Sequence, residues 1–72
     1  MLIGKQIRTK CAVYAGKQKY QRVNLERLPA GTIGVVKDQE VTFSNVEVCM
    51  VRFMVGKRRY FALLGPSSFE IL

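Results

Sequence analysis

Apolar and polar residues alternate through residues 5–15, with Ile7, Thr9, Cys11 and Val13 on one side and Arg8, Lys10, Ala12 and Tyr14 on the other. A period of two over this length marks a strand with one face inward. The pattern then breaks. Residues 16–27 are polar and strongly basic and read as a long loop or an irregular hairpin. Leu28-Pro29 sets up a turn, because proline fixes its own φ and biases the residue before it toward extended backbone. Pro29-Ala30-Gly31 suits a turn closed by glycine.

Alternation resumes at 32–38, a second strand in which Gly34 signals a bulge, a bend or close backbone approach. The third strand, 46–55, is apolar on both faces. Cys49, Val51, Phe53 and Val55 share one face, and Val46, Val48, Met50 and Met54 share the other. One face fills the interior, and the other needs a cover from a loop, a terminus or a second copy of the chain. Gly56-Lys57 is a tight turn into a fourth strand at 58–64. Gly65-Pro66-Ser67-Ser68 is a breaker with room for one 3-10 turn, and a fifth strand closes the chain at 69–72. The pattern predicts a single all-β domain over residues 1–72. Its expected core is Ile7, Val13, Val51, Phe53, Phe61 and Ile71.

Seventy-two residues lie near the size where one core only just suffices. A hydrophobic fraction of 49% excludes a disordered chain. A formal charge of +7, from twelve Lys and Arg against five Asp and Glu, favours an anionic partner. Met1-Leu2-Ile3-Gly4-Lys5 places a lysine ahead of any hydrophobic stretch of signal-peptide length. No uncharged run approaches the ~20 apolar residues that span a bilayer. The expectation is a cytoplasmic protein with no membrane partner. Cys11 and Cys49 lack CxxC spacing and the chain has no histidine. Free thiols, no zinc and no cofactor are therefore expected.

The order of these elements resembles the Src-homology-3-like barrel: five strands, a long loop after the first, a tight turn between the third and fourth, and a breaker before the last. Leu28-Pro29-Ala30-Gly31-Thr32-Ile33-Gly34-Val35-Val36 is similar to the Gly-x-x-Gly-hydrophobic strand of KOW and Tudor-like members. Val51-Arg52-Phe53 and Phe69-Glu70-Ile71-Leu72 are similar to their later strands. The resemblance implies a five-stranded antiparallel barrel serving as an RNA-, DNA- or peptide-binding module or as a small subunit of a complex. Fold alone does not choose among these.

Chemistry narrows the choice. Without histidine the commonest general base near neutral pH is missing. Asp38 is the only aspartate, the glutamates are scattered, and neither GxGxxG nor a Walker loop occurs. A self-contained enzyme is not expected, although a ring of barrels can form a shared substrate pore. The basic residues form two clusters, Lys17, Lys19 and Arg22 around Tyr20, and Lys57, Arg58 and Arg59 beside Tyr60. Lys and Arg neutralise phosphates while Tyr20 and Tyr60 offer faces for stacking bases. The plainer reading is a solvated loop and a charged, edge-protecting turn. Tyr14, Tyr20, Phe43 and Tyr60 also suit recognition of an extended peptide. Peptide-binding members of the architecture carry an acidic loop and a tryptophan, and this chain has a basic loop and no Trp. The leading expectation is a basic module for RNA, DNA or a nucleoprotein assembly. The alternative is a protein–protein module, self-associating as a homodimer through the outer face of the third strand.

Overall fold

The computed structural model describes residues 2–72. It is all-β, with β1 Gln6–Thr9, β2 Val13–Ala15, β3 Glu26–Leu28, β4 Ile33–Val41, β5 Glu47–Val55, β6 Arg58–Leu64 and β7 Phe69–Ile71. A 3-10 turn at Pro66–Ser68 precedes β7. Five strands form one antiparallel sheet in the order β6-β5-β4-β1-β7, and β2 and β3 form a separate two-stranded ribbon. The sheet does not close into the expected barrel, because β6 and β7 are its two edges and do not pair. The β2–β3 ribbon sits at the β6 edge. Gly16 N donates to Phe61 O at 3.0 Å and Phe61 N to Gly16 O at 2.7 Å.

The expected strand at 5–15 is two strands, interrupted at residues 10–12. Thr9 explains the break. Its hydroxyl donates to Pro29 O at 3.3 Å and accepts from Thr32 N at 3.1 Å. Gly31 N donates to Thr9 O at 2.8 Å, and Lys10 N to Ser68 O at 2.8 Å. The chain at Thr9 is thus bonded to the Pro29–Thr32 turn and passed to the 3-10 turn, so β2 starts afresh on another sheet. The basic segment between β2 and β4 contains β3, paired with β2 through Tyr14–Arg27 and its neighbours. β4 runs three residues beyond the expected 38. It continues because Lys37 is bulged out, with Val36 opposite Val51 and Asp38 opposite Met50, and a bulge bends a strand without ending it.

Ile7, Val13, Ala15, Leu28, Val36, Val51, Phe53, Ala62, Leu64 and Phe69 are buried in one cluster. Gly34 serves this packing, since a Cβ there would lie 2.6 Å from Val51 Cγ1 and 2.8 Å from the Phe53 ring. Two expected core positions differ. Phe61 is only half-buried and Tyr60 takes its place, at 3% exposure. The two-residue turn puts Val55 opposite Arg58, hence Phe53 opposite Tyr60 and Arg52 opposite Phe61. Directly opposed residues share a face, so the register turns Phe61 outward. Ile71 is 50% exposed although it lies beside Ile7, because β7 is an edge strand with nothing beyond it. Cys11 is exposed in the break between β1 and β2, and Val55 is exposed at the turn; both thiols are free.

The outer face of β5 has its own cover. Met50 is 1% exposed and Val48 half-buried within one chain, while Val46 of the same face is 49% exposed. Glu40 faces Val48 and Leu63 faces Met50 across the ladders. The Tyr20 hydroxyl donates to Glu40 Oε1 at 2.6 Å, which carries the 16–25 loop over this face. Met54, nearer the turn, stays 51% exposed.

Candidate nucleic-acid interface

The 16–25 loop is organised by one side chain. Gln21 Nε2 donates to Val23 O at 2.8 Å and to Asn24 O at 3.3 Å, and Gln21 Oε1 accepts from Gln18 N at 3.3 Å. Gly16 makes room for it, because a Cβ there would lie 2.6 Å from Gln21 Cβ. Lys17, Lys19, Tyr20 and Arg22 are all exposed on this loop. Tyr20 has φ +62°, a conformation unfavourable for a bulky residue, and its hydroxyl bond to Glu40 holds it there. That bond favours the protonated phenol. The Tyr20 pKa is raised above its ordinary 10.0, first by the hydrogen bond to Glu40, then by desolvation and by the charges of Glu40 and Asp38.

The second cluster sits at the β5–β6 turn, where Lys57, Arg58 and Arg59 are exposed. Tyr60 is not a stacking platform. It is buried, and its hydroxyl donates to Glu26 Oε2 at 2.8 Å, which fastens β6 to β3. Burial leaves no ring face for a base.

Sequence alone leaves open whether the two clusters share a surface. The antiparallel Gly16–Phe61 bridge sets Lys17 next to Tyr60, toward the Arg58-Arg59 end of β6. Tyr20 instead bonds to Glu40, and Arg22 lines a depression with Phe61, Ala62 and Leu63, toward the other end of that strand. Among the described residues the only ion pair is Arg8 Nη1 with Glu70 Oε1 at 3.3 Å. Every cation of both clusters is therefore without an internal counter-charge.

Beside this edge lies a depression of about 260 Å³ lined by Tyr14, Tyr20, Gln21, Arg22, Leu25, Phe61, Ala62 and Leu63. Tyr14 and Phe61 join the site only because of the register, Phe61 by facing outward from β6. Tyr14 was readable from its place on the polar side of the first alternating stretch. A second depression of about 230 Å³ lies farther along the outer face, where Arg52 is set among Ile33, Val35 and Met54. Arg52 Nε is buried without a hydrogen-bond partner. The Cys49 thiol is buried, and desolvation followed by the charge of Glu47 pushes its pKa up, which makes it a poor nucleophile. Among the described residues no three His, Cys, Asp or Glu side chains gather to hold a metal ion. Among the described residues no helix is long and apolar enough to cross a membrane.

In comparison with known proteins, no family model matches the chain, and no curated protein or solved structure is significantly similar to it.

Proposed function

We propose that this chain is a small basic binding module that contacts nucleic acid, alone or within a nucleoprotein assembly, and that it is not a self-contained enzyme. The observation that carries this reading is the exposure of six cations in two clusters, Lys17, Lys19 and Arg22 and Lys57, Arg58 and Arg59, none of them ion-paired. Phosphates displace counterions from such clusters, and the affinity gained is sequence-independent. Tyr20, 55% exposed and held rigidly beside Arg22, offers a ring face to an unpaired base. The strand order, the tight β5–β6 turn and the 3-10 turn before the last strand support reading the fold as an incompletely closed Src-homology-3-like barrel. The absence of histidine from the chain and the raised Cys49 thiol support a binding role over catalysis.

A filter-binding titration against salt tests the reading. Binding to single- and double-stranded RNA and DNA should weaken log-linearly as salt rises. Replacing Lys17 and Lys19 by Ala should lower the salt slope by about one for each lost phosphate contact, for all sequences alike. No binding of the unmodified protein to any of these polymers at low salt would overturn the proposal.

A further inference from the structure

The distal end of the β4–β5 hairpin is unlike the rest of the molecule. β6 supports β5 only as far as Cys49, opposite Leu64. On the other side β1 pairs with β4 at residues 33–35, the last backbone bond is Gly4 N to Val36 O at 2.8 Å, and Leu2 N donates to the Gln39 side chain at 3.1 Å. Beyond these points the hairpin is a two-stranded arm with no third strand, a form that is marginal in water unless it packs on something. Its tip is nevertheless well formed. Thr42 N donates to Val46 O at 2.9 Å, Asn45 N to Thr42 O at 3.0 Å and Val46 N to Thr42 Oγ1 at 3.2 Å. Asn45 takes the left-handed conformation the turn needs, at φ +59°. This ordered tip presents Phe43 at 112% exposure, flanked by Val41 at 63% and Val46 at 49%. A fully exposed aromatic on a rigid turn is an anchor with little ordering entropy left to lose.

Charge says what the anchor fits. Asp38, Glu40 and Glu47, three of the chain's five carboxylates, lie between Lys37 and Arg52 with no Lys or Arg among them. The arm is therefore acidic and apolar on a protein of net charge +7. The depression on the same molecule is its complement: Tyr14, Leu25, Phe61 and Leu63 give apolar walls, and Arg22 stands at its edge with no ion-pair partner. We infer that the arm docks on a second copy of this chain, Phe43 of one molecule entering the aromatic depression of the next. An arm and a receptor on different parts of one surface make each molecule both donor and acceptor. Assembly is then arm-to-receptor, through a surface separate from the outer face of β5 near Met54. The inference does not rest on nucleic-acid binding, and its test contains none.

Sedimentation of the full chain over a range of concentrations should show mass rising above that of a monomer. Phe43→Ser, at an exposed position, should weaken this association at least tenfold with an unchanged circular dichroism spectrum. Leu63→Glu in the receptor should do the same, and Tyr14→Asp repeats that lesion at a more exposed site. The deciding measurement mixes an arm variant with a receptor variant. Each has one intact half of the contact, so the equimolar mixture should regain a complex that neither forms alone. A parent chain that stays monomeric at high concentration would overturn the inference. So would a Phe43→Ser variant that associates as tightly as the parent, or a mixture that remains monomeric.

Discussion

Phe53 and Phe43 belong to the same hairpin and meet opposite fates. Phe53 is 0% exposed and Phe43 112%. Each is flanked by valines. What separates them is the number of strands alongside. At Phe53 the ladder runs from β1 through Gly34 to Tyr60 on β6, and the β2–β3 ribbon adds Val13, Ala15 and Leu28 to the cluster. At Phe43 both neighbours have ended. Phe53 lies within a strand and Phe43 on the turn that ends the hairpin, and burial came only where a third and fourth strand reached.

The sharpest way to break this comparison is to remove each ring. Phe53→Ala should cost roughly 3–5 kcal/mol in chemical denaturation, as large buried rings do. Phe43→Ala should stay within about 0.5 kcal/mol, measured at concentrations too low for association. Equal costs would show that the distal arm is packed after all. Next in size is Gly34→Ala. The added methyl meets Val51 and Phe53 at less than contact distance, and overpacking of this kind should cost about 1–3 kcal/mol. A neutral result would mean that the proximal hairpin yields as readily as the arm.

Two smaller effects sharpen the contrast between the two tyrosines of the basic clusters. Tyr60→Phe removes the bond to Glu26 and should lose about 1 kcal/mol of stability, with the salt slope of nucleic-acid binding unmoved. Tyr20→Ala should instead weaken single-strand binding by roughly 1–3 kcal/mol. If Tyr60→Phe weakens binding and Tyr20→Ala does not, the roles assigned to them are reversed. The smallest effect is on titration. The Tyr20 phenol is raised by Glu40, so its link to β4 is complete below the unfolded-state pKa and is lost as pH rises through the higher folded value. Phenolate absorbance, with Tyr20→Phe identifying this residue's component, should place its ionisation above 10.0. Ionisation at or below that value would show that the loop is not fastened to the arm.

The pattern of positions in the sequence was enough to place β4, β5, β6 and β7, because alternating runs between Gly-Lys and Gly-Pro turns allow little else. It was enough, too, to mark Val51 and Phe53 as core, and to identify the six Lys and Arg of the two clusters, since charged side chains on turns stay in water. Local pattern did not decide where the first strand would break, because the hydroxyl of Thr9 bonds to residues twenty and more positions away. Nor did it show β3, whose few residues alternate weakly and pair only because β2 lies beside them. The exchange of Phe61 for Tyr60 lay within reach, since a two-residue turn sets the register and the register sets the face. The approach of Lys17 to the second basic cluster was not, because it rests on a single antiparallel bridge between Gly16 and Phe61. Local alternation chooses strands and faces. Which strands stop short, leaving an arm and a receptor on one surface, is settled only when distant segments compete for the same hydrogen bonds.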